Sequence, residues 1–313
     1  MIPSRRSALS LGLAGLVLSF SSRVTYGADS IVRIGYQKYG SLILLKQKGI
    51  LEAALAPEGI AVQWAQFPAG PPMLQAMASG ALDFGQTGDL PPVFAQASTP
   101  DALVYVGHEP QVGSSEAIIV PSGSPIRAVG DLRGRKIAVT RGSDAHWLLL
   151  AALLKNGLSL RDVSVSYLLP AAARPAFETG VVDAWSIWDP FLSAAGRDVR
   201  VLMTGADVGG GTEFFLARRA FVEGQGALLN VIRDALARCD AWAQANKPEV
   251  ARILAGTTGL DPAVVARSVA KVTYGIQPVG PDTMARQQFI ADTFHKAGLL
   301  PVAVDVRKAV LSP

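Results

Sequence analysis

FPAGPPMLQAMASGALDFGQTGDLPP, residues 67–92, passes from the end of an extended run through a Gly/Pro loop into a short amphipathic helix. Met73, Leu74 and Met77 fall on one side of that helix, and Gly80 fits its stop. Leu82 to Phe84 reads as a short buried strand. Thr87-Gly88-Asp89 then turns the chain before Pro91-Pro92. Two loops therefore leave strand ends beside helix N-termini. In an open α/β sheet that rim is where ligands sit, and the exposed N–H groups there favour an anion. The same grammar recurs after the strand Lys136 to Val139, with Thr140-Arg141-Gly142-Ser143-Asp144 leading into an apolar helix from His146 to Lys155. The expectation is that the two rims face each other and hold a small anion between two lobes.

Working outward, Ile31 to Tyr36, Val62 to Phe67 and Leu103 to Val106 read as strands, with a helix near Leu42 to Leu55 weakened at Gly49 and a helical turn at Val93 to Ala97. A second series follows. Ala117 to Val120, Lys136 to Val139, Val163 to Leu168, Ala184 to Ile187 and Val199 to Met203 are strands, and Arg174 to Thr179 is helical. Phe214 to Arg218 reads as a strand returning to the first lobe. From Ala227 onward the pattern is helical only, with Pro248 and Pro262 at first-turn positions. Strands alternating with helices predict an α/β fold of two lobes, each a mainly parallel sheet flanked by helices. The expected division is 29–113 plus 216–313 for a discontinuous lobe I and 114–215 for lobe II. The crossings fall near Gln111 to Glu116 and Thr212 to Phe215.

The chain has 313 residues, 50% of them hydrophobic and 17% charged, a globular composition that suits two modest domains. The formal charge of +4 is uneven. Residues 1–28 carry Arg5, Arg6 and Arg23 and no acid, which leaves 26 of the 29 basic residues against all 25 acidic ones. A net of +1 gives no electrostatic case for nucleic acid. Residues 1–28 read as a secretory signal peptide, with Arg5-Arg6 before the apolar run Leu9 to Phe20 and small residues before a cut near Gly27. A soluble exported protein, periplasmic once the signal is removed, is the expectation. The lone Cys239 reads as a buried small hydrophobe, and no Cys/His cluster has metal-ligand spacing.

Several ordered blocks resemble the periplasmic aliphatic sulfonate-binding proteins of ABC importers. They include IGYQKYG, VQWAQFPAGPPML, LDFGQTGDLPPVFAQA, LVYVGHEP, SSEAIIVP, VGDLRGRKIAVTRGSDAHWLLL, AFETGVVDAWSIWDPFLSAA and YGIQPV, spread over roughly residues 31 to 280. The resemblance implies a two-lobed periplasmic-binding-protein fold of type II, a cleft that closes on its ligand, a permease in the inner membrane as transient partner, and a monomer. It implies no cofactor and no catalysis. Wider relatives bind taurine, nitrate or thiamine precursors, so another oxyanion is the alternative ligand. A thiamine-precursor synthase-like enzyme is the alternative outside binding, and the signal peptide weighs against it. LPAAA at 169–173, GGGTE at 209–213 and Asp144 after Ser143 depart from the pattern and leave tail selectivity open.

A sulfonate offers three acceptor oxygens and no proton, so its site wants N–H and O–H donors and no carboxylate aimed at it. Loop amides at Ala69-Gly70, Gly88-Asp89 and Gly142-Ser143 are the candidates, with the hydroxyls of Thr87 and Ser143. As residue types alone, these are also what ordinary βα turns contain. Gln37 leaves the first strand with an amide donor, and Arg141 stands either on the anion or in solvent. Asp89 and Asp144 suit an anion poorly and read as helix caps or loop braces, or as holders of a cationic substituent. His146 reads as a cleft-lining hydrogen-bond partner. With His108 and Glu116 it makes no convincing acid–base set, because no nucleophile lies beside them. Trp147, Trp185, Trp188 and Phe191 are candidates for an apolar wall. Trp188, at the strand end next to Asp189-Pro190, is the one positioned to reach the cleft.

Overall fold

The computed structural model describes residues 31–311, so the signal-peptide expectation lies outside the described residues. The first sheet is ordered β2-β1-β3-β10-β4 and comprises β1 (Ile31–Tyr36), β2 (Ala61–Gln66), β3 (Phe84–Thr87), β4 (Leu103–His108) and, from much later in the chain, β10 (Phe214–Arg218). The second is ordered β7-β6-β8-β5-β9 and comprises β5 (Glu116–Pro121), β6 (Lys136–Val139), β7 (Ser164–Tyr167), β8 (Ala184–Trp188) and β9 (Val199–Thr204). Pairing is parallel for β1 with β2 and β3, and antiparallel for β10 with β3 and β4. The second sheet repeats the scheme, with β5 as its reversed strand. In each sheet four strands thus share one direction. The fifth is the strand that has just arrived from the other sheet. The α/β, mainly parallel, two-sheet architecture is the one expected.

Local sequence explains most boundaries. The expected helix over Leu42 to Leu55 is two helices, Gly40–Lys48 and Ile50–Leu55, because Gly49 adopts a left-handed φ of 62°. The expected turn at Val93 to Ala97 is a full helix, Leu90–Ser98, with Pro91 and Pro92 in its first turn where no N–H is needed. The helix expected from Arg174 starts earlier, at Pro170, for the same reason. The largest difference is β3. It covers Phe84–Thr87, not Leu82 to Phe84, because β10 pairs with Phe84 through Thr87 and draws the polar Gln86-Thr87 into the sheet centre.

The first sheet is covered on one face by Gly40–Lys48, Ile50–Leu55 and the long helix Arg219–Ala245, which bury Leu42, Leu44, Ile232 and Cys239. The other face carries Gly70–Ala78, Leu90–Ser98 and the helix Pro281–Lys296. A buried carboxylate clips its centre: Asp83 accepts from the Arg33 backbone N–H at 3.0 Å, from Arg33 Nε at 3.0 Å and from Arg218 Nη2 at 2.6 Å. Asp83 precedes β3, so this one side chain ties β1, β3 and β10 together. In the second sheet, Asp144–Lys155 packs Leu148, Leu149 and Leu153 onto Ile118, Ile137 and Trp185.

Sheet membership changes between His108 and Glu116 and again between Thr204 and Phe214. The two crossing segments run side by side, the Glu109 N–H donating to Glu213 O at 2.8 Å and the Val112 N–H to Gly211 O at 2.9 Å. Gly211 has a φ of 89°, and a Cβ there would lie 2.7 Å from the Gly113 Cα. Only glycine lets these segments touch.

Candidate ligand crevice

The crossings put the C-terminal rims of the two sheets face to face, and the lobes touch on both flanks. Tyr39 and Ala69, from the first lobe, pack into the apolar cluster of the second. Trp147 and Leu150, from the second, pack into the cluster under Pro281–Lys296, with Trp147 edge-on to Phe289 at 5.9 Å. Between these contacts lie two adjoining cavities that share Tyr39 and Trp188. The outer one, of 270 Å³, is lined by Gln37, Gln66, Phe67, Leu169 and Phe191 among others. The inner one, of 60 Å³, reaches Glu109, Ser115, Glu116, Asp144, Asp189 and Glu213.

Of the expected site residues, Gln37, Trp188 and Asp189 line these cavities. Gln37 Nε2 donates to Tyr39 Oη at 3.0 Å and to Gln86 O at 3.3 Å. Trp188 is buried, stands edge-on to Phe191, and its Nε1–H makes no hydrogen bond to protein. Asp189, just past β8, divides its carboxylate between the Ser193 N–H at 2.9 Å and Lys271 Nζ at 2.7 Å, an ion pair to the helix Pro262–Lys271.

The glycine corners meet at the lobe interface. Gly70 packs on the Thr87 hydroxyl, and the Asp144 carboxylate of the second lobe packs directly on Gly88 of the first, leaving no room for a Cβ. Asp89 acts as a brace, its Oδ2 accepting from the Gly211 N–H at 3.2 Å and so holding the return crossing. Ala69 is fully buried in the apolar contact. In the other rim the donors are already engaged. The Gly142 N–H donates to His146 Nδ1 at 3.2 Å, and Ser143 Oγ donates to Thr140 O at 2.8 Å. Arg141 is exposed, with its guanidinium 5.6 Å from the Tyr167 ring. Burial, with the Arg141 charge nearby, lowers His146 to about 4, so its ring is neutral at physiological pH. Its other faces contact Tyr167 and Phe294.

What residue-by-residue reading missed is a gathering of carboxylates. Asp89, Glu109, Glu116 and Asp144 are buried and Glu213 half-buried around the inner cavity and the crossings, and nearby charges raise several of them further: Asp144 raises Asp89, Asp89 and Asp144 raise Glu116, and Asp144 and Glu109 raise Glu213. Burial is the largest cause throughout. It holds Asp89 and Glu109 up at about 8 and Asp144 at about 6, and it pushes Glu116 and Glu213 well above the carboxylate range. Ser41 shows the consequence. Its Oγ lies 2.5 Å from Glu109 Oε1 and also contacts Asp240 Oδ1. One hydroxyl carries one hydrogen, so one of those two acids must be protonated to complete the set. The signal was present in Glu109, Glu116 and Glu213, which border the two crossings.

Two sheets of this topology joined by two crossings, with an interlobe crevice at their C-terminal rims, define the two-lobed periplasmic-binding-protein class. The NMT1/THI5 like family model matches residues 55–251. A curated relative in Escherichia coli K12, described as a putative aliphatic sulfonates-binding protein, is 41% identical over 98% of this chain and 97% of its own length. Among solved structures, the alkanesulfonate-binding protein SsuA of Xanthomonas axonopodis pv. citri bound to MOPS is 41% identical, with a TM-score of 0.85 over 90% of this chain and 98% of that one. The periplasmic aliphatic sulphonate binding protein SsuA of Escherichia coli is 42% identical, with a TM-score of 0.82 over 91% and 92%. The chain belongs to this family of aliphatic sulfonate-binding proteins. The named relatives are binding proteins, and among the described residues no helix is long and apolar enough to cross a membrane.

Proposed function

We propose that this chain is an exported solute-binding protein that captures aliphatic sulfonates between its lobes and delivers them to an ABC permease in the inner membrane. It acts as a monomer, without chemistry, in the periplasm. The observation that carries the reading is the similarity over nearly the whole chain to sulfonate-binding proteins, joined to a crevice whose wall offers an unengaged indole N–H. Residues 29–113 with 216–313 would form one lobe and 114–215 the other. The head group would sit at Trp188 Nε1, in the cavity that Gln37 also lines, with the alkyl tail along Phe67, Leu169 and Phe191. Asp189 would set the position of Trp188 through its link to Lys271. The remaining rim residues, from Ala69 and Gly70 through Thr87, Gly88 and Asp89 to Arg141, Gly142, Ser143 and His146, would shape the closed interface. Ligand adds to closure only through contacts better made closed than open.

The test is isothermal calorimetry with butanesulfonate, butyrate and nitrate. Saturable binding of butanesulfonate alone is expected. Nitrate binding of equal strength would favour a general oxyanion carrier, and no heat with any sulfonate would refute the assignment.

A further inference from the structure

A sulfonate repels an ionised carboxylate, but a protonated carboxyl offers it an O–H donor. The inner cavity places one carboxyl beside the Trp188 indole. Glu116 opens β5 and Trp188 closes β8, and the two are paired directly across the antiparallel ladder. Opposed residues of such a pair share a face, with Cβ atoms about 5 Å apart. Both line the inner cavity, at 2% and 6% exposure. Neither Glu116 oxygen has a hydrogen-bond partner, and neither does Trp188 Nε1. Gly205 and Gly210 press on Glu116 Oε1 with no room for a Cβ at either, so the return crossing fixes one edge of the carboxyl.

The other carboxyls lining this cavity are turned to other partners. Glu109 shares the Ser41 hydroxyl, Glu213 accepts from Tyr39 Oη at 3.4 Å, Asp189 is held by Ser193 and Lys271, and Asp144 packs on Gly88. No Lys or Arg lines the cavity, and the charges that act on Glu116 are those of Asp89 and Asp144. An ionised Glu116 would be a buried charge with neither counterion nor donor, which is costly. A permanently ionised sulfonate beside it would add to that cost. Burial, with the charges of Asp89 and Asp144, accordingly holds the Glu116 carboxyl well above the carboxylate range. At 60 Å³ the cavity exceeds the roughly 10–15 Å³ that one water requires, so it admits a head-group oxygen.

We propose that Glu116 is a second head-group donor, its carboxyl O–H hydrogen-bonding one sulfonate oxygen while the Trp188 N–H takes another. An acid and an indole on adjacent strands of the second sheet thus supply two donors without a basic side chain. This rests on the sulfonate-binding reading and adds a binding residue to it.

The experiment is calorimetry with butanesulfonate on the full chain at pH 7.0, unaltered and as Glu116→Gln and Glu116→Leu. Glutamine keeps the shape and an N–H donor, whereas leucine keeps the bulk and removes every donor. Glu116→Gln should bind within threefold of the unaltered chain, and Glu116→Leu at least tenfold more weakly than Glu116→Gln. Glutamine outside that range, or leucine within tenfold of glutamine, overturns the donor role. Infrared difference spectra with and without butanesulfonate decide the matter even where the leucine variant does not fold. The C=O band of a protonated carboxyl should shift on binding in the unaltered chain, and that shift should be missing from Glu116→Gln. No such shift, or one that persists in Glu116→Gln, overturns the donor role and leaves sulfonate capture standing. Failure of the unaltered chain to bind butanesulfonate overturns both.

Discussion

Glu109→Gln tests whether the buried carboxyls at the crossings are held as acids. Glu109 is 3% exposed, and its Oε1 shares the Ser41 hydroxyl with Asp240. Burial, then the charge on Asp240, raises Glu109 from 4.5 to about 8. Between those values the folded chain keeps a proton that the unfolded chain has released. The folded state is therefore favoured at low pH, and this contribution is lost as pH rises through about 8. One retained proton corresponds to about 1.4 kcal/mol of unfolding free energy per pH unit. Glutamine keeps the shape and the hydrogen-bonding capacity but does not titrate. Urea unfolding at pH 5.5, 6.5 and 7.5 should show the unaltered chain losing about 1.4 kcal/mol per unit more than the variant. Asp89, also raised to about 8, titrates in both proteins and cancels in the difference. Parallel pH profiles for the two proteins, or stability that rises faster with pH in the unaltered chain, would refute the shared-proton arrangement.

Trp188→Phe keeps the ring and removes the Nε1 donor, so butanesulfonate affinity measured by calorimetry should fall about tenfold, near 1.4 kcal/mol. Gly88→Ala drives a methyl group into the Asp144 carboxylate across the interface and should weaken binding about tenfold; adding Asp144→Ala should recover most of that loss, and its failure to do so would remove the collision as the cause. Asp83→Ala strands Arg33 and Arg218 at the centre of the first sheet and should cost about 3–5 kcal/mol in urea unfolding, against less than about 1 kcal/mol for Arg174→Ala, whose pair with Glu178 is exposed.

The alternation of strand and helix made the two-lobe architecture legible, because period and turn chemistry are local properties. Pro91-Pro92 and Pro170 mark first turns in the sequence, and each of the two helices they open begins earlier than its apolar spacing alone indicates. The register of β3 was beyond local reading. Gln86-Thr87 looks like loop sequence, and only β10, more than a hundred residues away, makes it a central strand. The crevice divides in the same way. The place of Trp188 at a strand end, next to Asp189-Pro190, already puts it within reach of the cleft, whereas the engagement of Gly142 by His146 depends on how one loop folds back on its own helix. The carboxylates are the clearest case. Glu109, Glu116 and Glu213 border the crossings in sequence, but only the folded crossings bring them onto one cavity with Asp144.

The most direct measurement is a crystal structure of the chain grown with butanesulfonate. The expected result is sulfonate density between the two sheets, an oxygen within hydrogen-bond distance of Trp188 Nε1, and the alkyl chain along Phe67 and Leu169. Sulfonate density only on the outer surface, with the Trp188 indole still unengaged in a crystal saturated with ligand, would contradict it.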